Sequence, residues 1–191
     1  MANLGRDALK ALIVEKQLVK GFKSLDEQLT ANGFDARLAA VIEVVKGGRL
    51  AVRKEDNRAP KLGRAYVLPG FEGRLKGYDL ESTTLLAESE PVTLECGKCY
   101  LVITCEEVQM PTDVMLDIGP RSSAFRYAQV SLEATFGEAG YKGFLTFLLR
   151  ANLDAEIELG SRFAQLVFSQ LTGHSHYEGQ RELNYQGGKL I

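Results

Sequence analysis

Two histidines and three cysteines are all the nitrogen and sulfur metal ligands that the 191 residues offer. A structural zinc usually takes four such ligands. Cys96-Gly97-Lys98-Cys99 has the C-x-x-C spacing of a zinc or redox motif, but no second pair exists, and His174 and His176 lie far along the chain. A turn leading into a strand over Cys99 to Thr104 is the better reading. A basic excess is also missing: 23 lysines and arginines stand against 25 acidic residues, for a formal net charge of -2. That balance argues against nucleic acid and against an acidic membrane surface as partners. No stretch approaches the roughly 20 apolar residues of a membrane span. Met1 to Gly5 has neither the basic lead nor the apolar run of a signal peptide. The expectation is a soluble, cytoplasmic protein without internal repeats or low-complexity tracts.

What is present suits one domain with a sizeable core. A short helix is expected at about residues 7–15, with Asp7 as its cap and Leu9, Leu12 and Ile13 on one face. Asn32-Gly33 marks a turn. Phe34, Ala36 and Leu38 then alternate with Asp35 and Arg37, as on a half-buried strand, so Asp35 is expected to point away from the core. Val41 to Val45 and Leu50 to Val52 read as a hairpin around Gly47-Gly48, and the charged stretch Arg53 to Arg64 as a solvated loop. Short apolar runs follow at Tyr66 to Leu68, Thr83 to Leu86, Val92 to Leu94, Tyr100 to Cys105, Val114 to Ile118, Phe144 to Leu149 and Glu156 to Leu159. Turn signals separate them at the rhythm of an all-β sandwich or barrel. From Thr172 the chain is polar and Gly-rich, as in a segment that stays mobile until something orders it.

The chemistry concentrates between Pro120 and Gly143. In Pro120-Arg121-Ser122-Ser123, a planar guanidinium fork stands beside two hydroxyls, which is phosphate-binding chemistry. In Glu138-Ala139-Gly140-Tyr141-Lys142-Gly143, a carboxylate precedes a flat aromatic plate on a glycine-framed turn. Together they suggest a site that grips a nucleoside polyphosphate and activates a water.

With the flanking segments, this stretch resembles the family of trimeric dUTP diphosphatases and dCTP deaminases, its archaeal-type members above all. The motifs that carry the likeness come in the family's order: Asn32-Gly33-Phe34-Asp35; Pro120-Arg121-Ser122-Ser123 with Arg126; Glu138-x-x-Tyr141-x-Gly143; Gly160-x-Arg162-x-Ala164-Gln165-Leu166; and Tyr177-x-Gly179 with Tyr185-Gln186-Gly187. The resemblance implies a distorted jelly roll (β-clip) preceded by the short helix, assembled as a homotrimer with sites at subunit interfaces. The β domain would span residues 1–171, and residues 172–191 would close over the bound nucleotide.

The resemblance also implies roles. Arg121, Ser122, Ser123 and Gln165 hold the triphosphate. Tyr141 packs on deoxyribose and excludes a 2′-hydroxyl. Glu138 orients the attacking water, in a position where the diphosphatases carry Asp. Asp35 supports Mg²⁺ through water. The hairpin Leu132 to Thr135 reads the base through its backbone, with Ala134 and Thr135 as substrate contacts. Tyr177, Tyr185 and Gln186 close the site. Arg126 reaches base or phosphate, or else makes an interface salt bridge, and Arg162 supports the fold.

Family deaminases carry a Glu on the strand after the third motif, where this chain has Leu148. A Leu moves no proton, which favours Mg²⁺-dependent hydrolysis of a deoxynucleoside triphosphate, foremost dUTP, to the monophosphate and pyrophosphate. The alternatives are a dCTP deaminase with a rearranged proton shuttle and a non-catalytic nucleotide-binding trimer. Glu138 is one methylene longer than Asp, and a displacement of about 1 Å costs on the order of 100-fold in rate; Gly137 beside it offers backbone freedom. Glu133 in the hairpin would accept from a cytosine amine and repel uracil O4, but an outward-facing surface Glu is the favoured reading.

Overall fold

The computed structural model describes residues 2–134, 136–175, 177 and 185–191. In chain order its elements are β1 (Ala2–Asn3), α1 (Arg6–Lys16), β2 (Val19–Lys20), α2 (Leu25–Gln28), β3 (Phe34–Lys46), β4 (Lys61–Val67), β5 (Ser82–Leu85) and β6 (Pro91–Leu94). They continue with β7 (Cys99–Gln109), β8 (Val114–Pro120), α3 (Ser122–Tyr127), β9 (Val130–Glu133), β10 (Phe136–Gly137), β11 (Lys142–Ala151), β12 (Ala155–Glu158) and β13 (Arg162–Gln170).

The strands curl into a distorted jelly roll. Its hydrogen-bonded order is β10-β8-β13-β3-β7-β11-β9, with β1 added to β13, β2 to β7 and β4 to β3. Pairing is antiparallel except between β4 and β5. β6 and β12 form a separate two-stranded ribbon. The corner of the roll is β3. Its first residues, Phe34 to Arg37, pair with β13, and the stretch from Leu38 to Glu43 pairs with β7. A register irregularity between Leu38 and Ala40 lies at this change of partner, and such bulges bend a strand from one layer to another. Phe34, Leu38, Tyr100, Leu116, Phe163 and Phe168 fill the main core. A second cluster of Ile42, Leu62, Val67, Ile103 and Phe144 lies behind the β3–β4 face.

α1 forms where expected, from good helix formers, and buries Leu9 and Ile13. Its cap is not Asp7. Gly5 occupies that position without a side-chain hydrogen bond, and Asp7 lies in the first turn, where a carboxylate favours the positive end of the helix dipole. The expected hairpin around Gly47-Gly48 is also corrected. β3 runs unbroken to Lys46, and its partner is β4, which starts at Lys61 inside the stretch read as loop. Leu50 and Val52 stand fully exposed on the connection; their apolar character had suggested a strand, but no neighbour covers them. Gly48 allows the close approach that the Arg49–Arg58 bridge needs, because a Cβ there would lie 2.0 Å from the Arg58 carbonyl oxygen.

The tail, expected to be mobile on its own, is docked at its described residues. Tyr177 is buried and donates its N–H to the Ala139 carbonyl. Gly187 bridges to Gly143 of β11, and Leu190 enters the second cluster with its N–H on the Tyr78 hydroxyl. Composition missed this because one buried leucine and one strand-like pairing suffice to anchor a polar segment. Gly179 and His176 lie outside the described residues.

Gly143 has a φ of 139°, and a Cβ there would stand 2.4 Å from the Gly188 nitrogen. Gly143→Ala is therefore expected to cost at least about 2 kcal/mol and to release the tail. Thermal unfolding together with hydrogen exchange at Gly187 and Leu190 checks this; unchanged protection would refute it.

Candidate functional site

Two clusters gather most of the singled-out residues. The first is built by β13, which lies between β3 and β8. The register sets Gln165 beside Asp35 on one side and Gly119 on the other, and Ala164 beside Pro120. Arg121 follows directly, and its N–H donates to the Phe163 carbonyl at 2.8 Å. This backbone tie holds the guanidinium against the start of β3.

Asp35 corrects an expectation. Its carboxylate does not point to solvent; the residue is 1% exposed. Arg121 Nε stands 2.6 Å from its Oδ2, and Arg162 Nη1 stands 3.8 Å from the same oxygen. Arg162 stands too far for a hydrogen bond, and neither oxygen has a well-aligned donor among the described residues. Charge rather than alignment holds the group. Burial pushes its pKa above the usual carboxylate value, and the two arginines only partly offset this. Alternation failed here because β3 is covered on both faces. Arg162 also donates to the Glu27 carbonyl, consistent with support of the fold. Arg121 Nη1 donates to Ser123 Oγ at 3.0 Å, and Gln165 Nε2 to Thr30 Oγ1 at 3.4 Å.

Residues 122–127 form a short helix, α3, where sequence reading saw only a charged cluster. It leaves Ser122, Phe125 and Arg126 exposed. Ser123 and Arg162 line a small cavity of about 280 Å³ beside it.

The second cluster surrounds a cavity of about 680 Å³ lined by Ala134, Glu138, Tyr141, Leu148 and Tyr185, among others. Tyr141 sits on the turn between β10 and β11. Its hydroxyl donates to the Phe144 carbonyl at 2.6 Å, and its ring meets that of Tyr177 edge-on, 5.7 Å between centroids. Burial raises the Tyr141 pKa, so the phenol stays a neutral donor. Glu138 is half-buried on the same turn and accepts the Tyr141 N–H at its backbone carbonyl, 3.1 Å away. Gln186 accepts the Lys142 N–H at 3.1 Å and reaches the Gly140 carbonyl at 3.4 Å. Thr135 lies outside the described residues. The expected base-reading hairpin is not a pair of mutually bonded strands: β9 bonds to β11 and β10 to β8. Glu133 is exposed, as expected of a surface residue, and it also lines the open side of the cavity. The pairing that sets its direction, with Leu148 of β11, lies beyond the turn.

Within one chain, Arg121, Ser122, Ser123 and Gln165 do not line the cavity that holds Glu138 and Tyr141. A resident metal also finds no set of ligands. The described residues contain no group of three or more His, Cys, Asp or Glu able to hold one. Asp35, expected to support a metal through water, faces two guanidiniums and is closed to solvent.

A family model described as dCTP deaminase-like matches residues 3–171, and the chain belongs to that family. It is 32% identical over 146 residues to a dCTP deaminase of Thermococcus kodakarensis, covering 73% of this chain and 91% of that protein. It is 28% identical over 170 residues to a probable deoxyuridine 5′-triphosphate nucleotidohydrolase of Methanothermobacter thermautotrophicus, covering 88% of this chain and 97% of that one. Among solved structures, the 2′-deoxycytidine 5′-triphosphate deaminase from Agrobacterium tumefaciens matches with a TM-score of 0.58 at 21% identity. That match covers 87% of this chain and 46% of the other, so the chain spans about half the length of this structural neighbour. The relatives thus carry two activity names, and the family alone does not choose between them. No helix among the described residues is long and apolar enough to cross a membrane.

The raised pKa of Asp35 has a stability consequence. A group that binds its proton more tightly when folded adds stability below its unfolded pKa, near 3.8, and loses it as pH rises through the folded value. The stability of the wild type relative to Asp35→Asn should therefore fall as pH rises above 3.8. Urea titrations of both proteins test this, and a difference that grows with pH would contradict it.

Proposed function

We propose that the protein hydrolyses a deoxypyrimidine nucleoside triphosphate between the α- and β-phosphates, releasing the monophosphate and pyrophosphate. The observation that carries the reading is that Glu138 and Tyr141 share one cavity with Leu148. A carboxylate stands next to an aromatic plate suited to deoxyribose, and the position that is Glu in family deaminases is apolar. Glu138 would take a proton from water as it attacks the α-phosphorus, and pyrophosphate would leave with the electron pair of the broken P–O bond. Tyr141, held by its bond to the Phe144 carbonyl, would pack on the sugar and leave no space for a 2′-hydroxyl. Ala134 and Thr135 would offer backbone groups to the base. Tyr177, Tyr185 and Gln186 would cover the nucleotide as residues 172–191 close on the β domain of residues 1–171.

Arg121, Ser122, Ser123 and Gln165 would grip the triphosphate, with Asp35 positioning the Arg121 guanidinium and Arg126 exposed nearby. Since these side chains lie apart from the Glu138 cavity within a chain, the complete site would form between copies, in a homotrimer. Mg²⁺ would arrive with the substrate as the counterion of its triphosphate. dUTP is the substrate expected from the resemblance, and dCTP fits the same description.

Glu138→Gln is expected to lower pyrophosphate release by at least about 100-fold with nucleotide binding retained; pyrophosphate release at the wild-type rate would overturn the assignment. Mixing tests the shared site. Chains carrying Arg121→Ala and chains carrying Glu138→Gln, each inactive alone, should regain about a quarter of the wild-type sites after co-refolding into random trimers. Light scattering should report three chains per particle. No recovery in mixed trimers would mean that each chain holds a complete site.

A further inference from the structure

The cavity contains a second carboxylate that the proposed reaction does not use. Glu133 is the last residue of β9, and the antiparallel register sets it directly opposite Leu148 of β11. Directly opposed residues of an antiparallel pair project on the same face, with Cβ atoms about 5 Å apart. The neighbouring pair, Leu132 opposite Leu149, packs into the main core. Strand alternation therefore turns Glu133 and Leu148 together to the other face, and both line the 680 Å³ cavity with Glu138 and Tyr141. Around Glu133 the lining is largely apolar, with Leu101, Phe136, Leu145 and Phe147. Leu145 and Phe147 are less than a tenth exposed, whereas Phe136 is largely exposed, so the wall runs from a packed strand to an open rim.

We propose that Glu133 is the specificity-determining residue of this cavity and that it selects a cytosine base over uracil. The inference rests on the hydrolase reading above and names its substrate class: a 4-aminopyrimidine deoxynucleoside triphosphate, dCTP. The two bases differ at position 4, where cytosine presents an amine that donates and uracil a carbonyl oxygen that accepts. A carboxylate offers only acceptor oxygens. It bonds the cytosine amine and opposes uracil O4, so one side chain supplies both the attraction for one base and the repulsion of the other. Leu148 beside it holds no proton donor that would satisfy O4 instead. Glu133 is thus a reader of the base edge, and Glu138 remains the group at the phosphorus.

The test measures binding and turnover separately. Calorimetric titration with the α,β-imido analogues of dCTP and dUTP reads the base preference without any reaction. The wild type is expected to bind the dCTP analogue about 10- to 100-fold more tightly, the range for a hydrogen bond to a charged group. Glu133→Gln, whose amide both donates and accepts, should bring the two affinities within about 3-fold of each other, and Glu133→Asp should restore part of the preference. Equal binding of the two analogues by the wild type, or a preference that survives Glu133→Ala, overturns the proposal. In parallel, pyrophosphate and ammonia are followed with dCTP and dUTP. Pyrophosphate from dCTP without ammonia is the expected result. Ammonia from dCTP that disappears in Glu133→Gln would overturn base reading and make the residue a proton carrier. Absence of both products, with the analogue preference intact, would sink the hydrolase reading and leave the base selection standing.

Discussion

The structure around Arg121 depends on a buried negative charge held against two guanidiniums. Asp35 is taken out of water at the start of β3, and the arginines that face it come from different elements: Arg121 just after β8 and Arg162 from the start of β13. A carboxylate so placed is costly unless both cations stay. It therefore ties the turn into α3 to the two strands beside it. The neighbouring buried carboxylate, Glu106, is satisfied differently. Its oxygens accept from Gln28 Nε2 and from the Arg37 backbone and side chain, at 2.7 to 2.9 Å. Glu106 is a closed network within the fold, whereas the oxygens of Asp35 hold a cation that is itself about a third exposed. That difference separates an acid enclosed by donors from one that faces a partly exposed guanidinium.

The second cluster obeys another constraint, the period of two along a β-strand. On β11, Leu149 packs into the main core while its neighbour Leu148 is turned to the open side and lines the cavity. The turn before β11 carries Glu138 and Tyr141 to the same rim, and the docked tail adds Tyr177 and Tyr185. Gly143 makes this possible twice over: its backbone angle favours glycine, and the tail runs against it where a side chain would stand.

The succession of short strands, the N-terminal helix with its Leu9 and Ile13 face, and the strand after the C-x-x-C turn were all legible in the sequence, because each rests on local periodicity or turn chemistry. The Gly47-Gly48 hairpin was misread for the same reason: local apolarity at Leu50 and Val52 has no partner in space. α3 was missed because one and a half helical turns leave almost no periodic signal. For Asp35, alternation suggested a wet face, but the covering layer comes from residues more than eighty positions away.

Order and chemistry of the motifs were the sequence's own contribution: an arginine followed by two serines, a glutamate three residues before a tyrosine, and a leucine in a position where deaminases carry an acid. These depend only on residue identity and spacing along the chain. Tertiary structure alone decided which of them meet. It turned Asp35 inward onto two arginines, kept Arg121, Ser122, Ser123 and Gln165 apart from the Glu138 cavity within one chain, and set Glu133 at the edge of that cavity opposite Leu148. The reason is that strand pairing sets the face on which a side chain stands, and its partners here lie beyond any local window of sequence.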